Sequence, residues 1–588
     1  MTAFETPESL PYSLISEEEK REVHLEIGRL LLKNIQEDDL HNHLFDIVNH
    51  FHKGANLITK QSEKNELAKL NLQAAKKAKA STAYGVALRF LEESLALLGN
   101  NSWKNQYQLT LEIQIELLET LYQNTQWERM KELSTDVLEK VTNILDRVKI
   151  YELEILSYYA QFQPDIAIKV ALIALEQLGI KIDQNQKGVS ERKIKNKIKQ
   201  QTKSLKLLLK DKKVEDLVDL PKMTDPYKLA AISVMQKVTT ALATTNFALF
   251  VEVVLIQLNF CLNYNNPPQA AATYSLYGVL LCGIIEDLDF GYQFGQLSMA
   301  LLERDNITKI EPFIIHEYYG CIMYWKEHIN QKIILEQLLN SLQKLVNVGN
   351  NEYVSYLALD YCLIKFFGGC NLEELDQDYN KYSQLIQSLN LEYSRNYIEI
   401  CSNMVVNLIC IDQPKYFILI GQSQDQEVQY IEDFIQNNYQ WLLFIYYFGK
   451  MFINYFLKDY VEAFNNSQYA DKYVMAIVGY ICKPHHIFFF SLSHLAYYPS
   501  CNRDQQKELL KQINRNLNHL KNYASHCPEN FQHKYDLVEA EKARVLGQNW
   551  KAQEFYEKAI QGAKKYEFIH EEACKDSGHT KSSQPLAV

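Results

Sequence analysis

Between Asn530 and Lys565 apolar and small side chains return at three- and four-residue intervals along two successive stretches, and the pattern breaks at Gln548 and Asn549. That periodicity predicts two antiparallel helices joined by a tight turn. Ala540 lies on the first helix, and Ala552, Tyr556 and Ala559 lie on the second, where the two must touch. Weaker copies of the arrangement recur around Ala463 and Ala470 (DYVEAFNNSQYADKYV), around Ala167 and Ala174 (QPDIAIKVALIALEQL) and around Ala87 (TAYGVALRFLEESLALL). Small residues at these places let neighbouring helix backbones approach closely, so they are packing devices rather than binding groups.

One such hairpin cannot bury its apolar stripe alone, and its recurrence predicts an all-α fold, a tetratricopeptide-like (TPR-like) α-solenoid of stacked antiparallel helical hairpins. Composition agrees, since 20 Gly and 13 Pro among 588 residues are too few breakers for a large sheet protein. Ser16 followed by Glu19 predicts a capping box at the first helix. From Thr82 onward, breaks near Asn100, Asn124 and Pro164 give repeats of roughly 40 residues. The expected layout is N-terminal helices over 1–60, N-terminal TPR-like repeats over 61–180 and a basic segment with a Pro-flanked joint over 181–226. A C-terminal helical-repeat array over 227–572 and a disordered tail over 573–588 complete it. Pro221 and Pro226 bracket the expected joint, and Asp225 is placed to cap the following helix.

The net charge of −11 argues against general nucleic-acid binding, which needs concentrated Lys and Arg. One segment departs from it. Lys187–Lys213 carries eleven Lys or Arg against two acids, a net +9 that leaves −20 on the rest. Ile194, Ile198, Leu205 and Leu209 fall on one side of that segment, which predicts an amphipathic helix with its lysines in water; the functional alternative is a surface for an acidic partner, an anionic lipid surface or RNA. The lack of interleaved aromatics speaks against a nucleic-acid platform. Eleven cysteines without a CxxC pair read as reduced core residues. The N-terminus has no basic and apolar run of the secretory type, so a cytoplasmic location is expected. The apolar run Trp441–Leu457 contains Lys450 and Asn454, is short for a membrane span and reads as a buried helix.

Candidate chemistry is sparse. Asp289-Phe290-Gly291 spells the kinase magnesium motif, but the nearest imitation of a catalytic loop, Asn502-Arg503-Asp504, follows it, whereas kinase order requires the reverse. Asp289 is therefore expected to cap a helix, with Gly291 and Gly295 permitting close packing. His43, Asp46 and His50 share a helical face, yet i and i+7 are about 10 Å apart along the axis, too far for one zinc. Cys482, His485, His486 and His494 match no closed zinc pattern and are expected in core and turn roles. Tyr318, Tyr319, Tyr324, Trp325, Tyr353, Tyr356 and Tyr361 form the densest aromatic group outside the apolar runs; at helical spacing such residues read as core, and the alternative is a concave groove for a partner or ligand. No metal and no cofactor are expected.

The stretches KKAKASTAYGVALRFL, LPKMTDPYKLAAISVM, ATYSLYGVLLCG, DFGYQFGQLSMALLERDN and MYWKEH, with the hairpin 459–473, resemble the helical-repeat region of cyanobacterial multi-domain signalling kinases. In those multi-sensor signal transduction multikinases a serine/threonine kinase domain precedes an AAA-type, STAND-like ATPase, then this array, then GAF and sensor histidine-kinase domains. The resemblance covers roughly 12–573, and YSLISEEEKREVHLEIGRLLL looks like the end of the ATPase module. No GxxxxGK[ST] loop, Gly-rich kinase loop or VAIK lysine is present, so the family's catalytic activities do not carry over. The resemblance implies a non-catalytic interaction or regulatory module of phosphorylation signalling, with a kinase, ATPase or sensor component as protein partner in trans. Two alternatives stand beside it: a small-ligand-sensing repeat domain of a STAND-type regulator, and the remnant of a split multikinase gene. Neither a nucleic acid nor a membrane span is expected.

Overall fold

A computed structural model describes residues 16–572 apart from 184–188, 211, 306–309, 331, 349–350, 390 and 411–416. The disordered tail expected over 573–588 lies outside the described residues. The described chain is helical, and its sole β-type pairing is an isolated bridge between Lys222 and Asn266. It divides into two compact units, 1–181 and 182–588. The division thus falls at Lys181 rather than at the Pro-flanked turn. That turn is stitched into the second unit, because Asn266 N–H donates to Pro221 O at 2.9 Å and Met223 N–H to Asn266 O at 2.9 Å.

The first unit is a run of antiparallel helices: α1 (Glu17–Asn34), α2 (Glu37–Gly54), α3 (Gln61–Ala80), α4 (Tyr84–Leu98), α5 (Tyr107–Gln123), α6 (Trp127–Lys140), α7 (Ile144–Ala160) and α8 (Pro164–Gln177). The capping box at Ser16 is present, with Glu19 N–H donating to Ser16 Oγ at 3.2 Å and Ser16 N–H to Glu19 Oε2 at 3.0 Å. Ion pairs step from one repeat to the next, as in Arg29–Glu63 at 2.7 Å and Lys76–Glu112 at 2.7 Å. At this exposure each contributes little beyond register.

The second unit opens with α9 (Glu191–Leu209) and continues through α10 (Pro226–Thr245), α11 (Phe247–Tyr264), α12 (Ala270–Leu280), α13 (Leu288–Asp305), α14 (Glu311–Glu317), α15 (Lys332–Val348), α16 (Asn351–Gly368), α17 (Leu372–Ser388) and α18 (Glu392–Ile409). It ends in α19 (Gln424–Gln436), α20 (Gln440–Phe456), α21 (Tyr460–Asp471), α22 (Cys482–Tyr497), α23 (Arg503–His526), α24 (Pro528–Val545) and α25 (Asn549–Lys565). Asp225 caps α10 by accepting from Tyr227 N–H at 2.9 Å. Among the described residues α11 is long and apolar enough to cross a membrane, and half of it is packed inside this unit. Seven of the ten described cysteines are buried and all ten are free; Cys574 lies outside the described residues.

One turn recurs throughout. Thr82, Thr125, Phe162, Gly179, Gly369, Asn438, Lys458, Gly547 and Glu567 all have positive φ, between 54° and 83°, and each stands just past a helix end. The next N–H reaches back five residues, as in Gln126 to Leu121 O at 3.0 Å and Gln548 to Ala543 O at 2.9 Å. The positive-φ residue itself bonds three back, as in Thr125 to Tyr122 O at 3.1 Å and Gly547 to Arg544 O at 3.0 Å. This is the Schellman closure, which satisfies the last helical carbonyls and reverses the chain within two residues. Ala87, Ala167, Ala174, Ala463, Ala470, Ala540, Ala552, Tyr556 and Ala559 are all buried, at 0–7% exposure, where the paired helices meet.

Stacking in the second unit is not confined to sequence neighbours. Trp325, fully buried, packs against Tyr523 and Phe531 at ring distances of 4.8 and 5.8 Å. Asn530 Nδ2 donates to the carbonyls of Tyr324 and Glu327, both at 2.8 Å. Glu286, itself in the left-handed region at φ 60°, accepts from the Tyr523 hydroxyl at 2.8 Å and sits 2.8 Å from His519 Nδ1. Burial would raise its carboxyl, but His519, Lys483 and Tyr523 hold it down at about 2. Lys483 Nζ also donates to the Gly283 carbonyl. Gly283 lies in a π-helical turn, Leu281–Ile285, and a Cβ there would meet Gly479 N at 2.4 Å.

Two substitutions should therefore move stability in opposite directions. Thr125→Gly removes a β-branched side chain from the left-handed region and should stabilise the chain by about 1 kcal/mol. Gly283→Ala forces backbone apart at the crossing with Gly479 and should cost roughly 1–3 kcal/mol. Urea denaturation of the two variants against wild type reads both signs.

Candidate functional site

Of the two readings of the seven aromatics, core and groove, the structure has the core one. Tyr318, Tyr324, Trp325 and Tyr361 are at most 9% exposed, and Tyr319, Tyr353 and Tyr356 are half-buried. Their rings contact each other, with Tyr324 4.7 Å from Trp325, Tyr318 5.2 Å from Tyr319 and Tyr353 5.6 Å from Tyr356. The reason is the return of α23 and α24, whose Tyr523 and Phe531 close over the Trp325 end of the set.

Within this core lies a buried polar group invisible to sequence periodicity. His316, at the end of α14, has Nδ1 2.6 Å from Asp360 Oδ2 on α16 and Nε2 2.6 Å from the Tyr480 hydroxyl. Its ring stacks on Tyr356 at 5.4 Å. Gly320, in a second π-helical turn over Tyr318–Ile322, makes room, since a Cβ there would stand 3.2 Å from the Asp360 carboxylate. Burial alone would lower the His316 pKa, but the Asp360 carboxylate, aided by Glu317 and Glu352, raises it to about 9. The group's geometry ties α14, α16 and the segment before α22 together.

The other chemical candidates have structural partners. His50 faces His24, with the Nδ1 atoms 2.9 Å apart. Among the described residues no group of three or more His, Cys, Asp or Glu is arranged to hold a metal. His485 stacks on Phe367 at 4.0 Å, His486 lies 3.3 Å from Asp471, and His494 lies 3.0 Å from Ser467 Oγ. Cys482 is fully buried, and that burial pushes its thiol well up, away from nucleophilic character. Asp289 sits in the first turn of α13 and pairs with Lys326 at 2.6 Å. Gly291 packs so tightly on Cys282 and Gly278 that a Cβ would stand 2.4 Å from Cys282 Sγ. Lys534, His533 and Glu571 form a fully buried cluster in which Lys534 Nζ is 2.7 Å from Glu571 Oε1. It fastens the last described turn, Ile569–Glu572, onto α24.

An open concavity of the second unit lies elsewhere, between α19, α20 and α21, with a volume of about 460 Å³. Val428 and Ile431 of α19 form one wall, Tyr446, Tyr447 and Ile453 of α20 the floor, and Glu462 and Asn466 of α21 the far rim. In the floor Lys450 Nζ is 3.0 Å from Glu427 Oε2 and also donates to the Phe417 carbonyl. Glu427 Oε1 accepts from Leu419 N–H at 2.7 Å, so the pair anchors α19 to the chain before it. Burial lowers the Lys450 pKa, and Glu427 opposes that shift. Tyr447 continues outward into a stack with Tyr469 at 5.0 Å. On α19, Phe434 and Glu427 face inward, while Val428 and Ile435 are 56% and 55% exposed, with half-buried Ile431 between them. Val428, Ile431 and Ile435 are spaced i, i+3, i+7, the repeat of an apolar stripe that seeks a partner helix. In sequence the same spacing reads as core, so only the packing reveals the stripe as uncovered.

No family model matches the chain. Over 439 residues, 68% of its length, it is 21% identical to the hybrid signal transduction histidine kinase G of Dictyostelium discoideum. The chain spans only 13% of that protein. Among solved structures, the Naa15/Naa10 complex bound to HypK-THB aligns over 95% of this chain and 98% of its own, at 12% identity and a TM-score of 0.20. A circular tandem repeat protein with a novel repeat topology aligns over 95% of this chain and 100% of its own, at 8% identity and a TM-score of 0.12. Scores this low carry no argument, and the helical-repeat assignment rests on the hairpins and their closures. The chain is a helical-repeat protein with sequence similarity to part of a signalling kinase.

The His316 group generates a pH test. Its folded pKa is above the unfolded value of 6.5, so its stabilisation is complete below about pH 6.5 and is lost as pH rises to about 9. Wild type should lose on the order of 3 kcal/mol across that window through this group, and Asp360→Asn should lower stability at pH 6 while flattening the decline. Urea midpoints at half-unit pH intervals decide it.

Proposed function

We propose that the chain is a non-catalytic helical-repeat interaction module of phosphorylation signalling, acting in the cytoplasm. The observation that carries this reading is the open groove along α19, whose apolar stripe Val428, Ile431 and Ile435 lies beside a concavity walled by tyrosines and carboxylates. A repeat array whose helix leaves an i, i+3, i+7 stripe uncovered is suited to accept an amphipathic helix of another protein. The likeness to a hybrid histidine kinase supports a signalling context. The resemblance to the array between the ATPase and the GAF and histidine-kinase domains of multikinases points the same way, to a kinase, ATPase or sensor component as the partner in trans. Glu432 and Glu462 at the groove's edges suit a partner helix that carries Lys or Arg beside its apolar face.

A small-ligand sensor is the second reading, favoured by the groove's 460 Å³, which is within the usual range for small-molecule sites. The two separate on where the contact energy lies. A helical partner needs the exposed stripe out to Ile435, which does not line the concavity, whereas a small ligand needs Tyr446 and Lys450.

A photo-crosslinking amino acid at Val428, introduced into the full chain in the cells that encode it, tests the proposal. The expected product is a crosslink to a kinase, an ATPase or a response regulator. It should weaken about tenfold or more, equivalent to 1.4 kcal/mol, when Ile431 and Ile435 are both changed to Asp. Crosslinks unchanged by that double substitution would refute the groove as the binding surface.

A further inference from the structure

Helix α9 carries a feature that the groove does not use. Its inward side is fixed, with Ile194, Ile198, Thr202, Leu205 and Leu209 buried. Thr202 Oγ1 lies 2.9 Å from the Tyr277 hydroxyl, and Lys206 pairs with Asp287 at 2.5 Å. The helix therefore cannot roll, and the composition of its outer side is set. Leu207 comes nine residues after Ile198, which is two and a half turns, so it stands directly opposite the buried stripe. Leu207 is 63% exposed and Leu208 59%. Lys199 and Lys203 precede them on the same helix and Lys210 follows; these three, like Arg192 and Lys193 at the far end of the helix, are exposed and have no acidic partner among the described residues. A shallow depression of about 380 Å³ runs along the flank of α9, between Lys199, Thr202, Lys203, Lys206 and Leu207 and, beyond the helix, Ile285 and Asp287.

Exposed leucines at the C-terminal end of a lysine-rich helix face call for a partner that is anionic and also offers an apolar phase beneath its charge. An acidic protein surface satisfies the lysines, but it covers the leucines only where it also carries an apolar groove. Single-stranded nucleic acid is held by stacking on aromatic rings, and this face has none. A bilayer of anionic phospholipid supplies both, as headgroup charge for the lysines and an acyl boundary a few ångströms below for the leucines. We propose that the outer face of α9 docks peripherally on an anionic membrane surface, with Lys199 and Lys203 on headgroups and Leu207 and Leu208 inserted.

Co-sedimentation of the full chain with vesicles tests this, using pure phosphatidylcholine against a 70:30 mixture with phosphatidylserine. The expected result is binding to the mixed vesicles alone, weakened when salt is raised from 0.05 to 0.5 M. The paired change Lys199→Glu with Lys203→Glu should reduce it at least tenfold, and Leu207→Ser with Leu208→Ser should reduce it several-fold. Both pairs are on the surface, so their melting curves should match wild type. Lys507→Glu with Lys511→Glu, on an exposed part of α23, should leave binding intact. The proposal is overturned by absence of binding to the mixed vesicles, or by equal loss in the α23 control. It is overturned equally by a serine pair that binds as wild type does, or by polyglutamate or RNA captured by the α9 lysines while vesicles are not.

Discussion

The turn that ends nine helices holds the rest of the architecture in place. A residue in the left-handed region, followed by an N–H that reaches five residues back, turns the chain within two residues and leaves the next helix antiparallel at packing distance. Both bonds are backbone to backbone, so the motif does not require a particular side chain. Thr82, Thr125, Phe162, Lys458 and Glu567 occupy the position where glycine would be easiest, each at some steric cost. Thr82, Thr125 and Phe162 stand 43 and 37 positions apart, which is the repeat period itself. Once these turns set the pairing, the alanines between the helices fix how closely they stack.

In the second unit the same hairpins meet a further constraint. The stretch from Val279 to Ile329 receives the chain again some two hundred residues later, through Trp325 against Tyr523 and Phe531 and through Glu286 beneath His519 and Tyr523. Two π-helical turns, at Leu281–Ile285 and Tyr318–Ile322, lie in that stretch, and each contains a glycine that admits a neighbouring group, Gly479 in one and Asp360 in the other. A π-turn inserts a residue and re-aims the side chains beyond it, so it lets one helix serve two packing directions. The closure turns an array that could have stayed open along its concave side into one whose aromatic interior is sealed.

Sealing one face makes the remaining surfaces more informative. The uncovered stripe of α19 is apolar with acidic edges, and the outer face of α9 is basic with two exposed leucines at its C-terminal end. Each is presented by a helix whose inner side is anchored by a specific polar contact, Glu427 with Lys450 in one case and Thr202 with Tyr277 in the other. Anchoring matters for recognition because a surface that cannot rotate away loses less freedom when a partner orders it.

The helices, the Ser16 capping box, the Asp225 cap and the inward face of α9 were legible in the sequence, because all of them follow from local periodicity and nearest-neighbour chemistry. The distant segment that seals Trp325 and its neighbours was not legible, nor was the exposure of Val428, Ile435 and Leu207. Helical spacing says which side chains share a face, but it does not say whether another helix covers that face. The covering element for Trp325 comes from α23 and α24, about two hundred positions away, and for α19 none arrives among the described residues. The His316–Asp360–Tyr480 group was hidden for the same reason, since its members are 44 and 164 residues apart. The sequence by itself determined the repeating helical hairpin. Tertiary structure decided which faces of those hairpins are interior, because burial depends on contacts between segments too distant in the chain for periodicity to register.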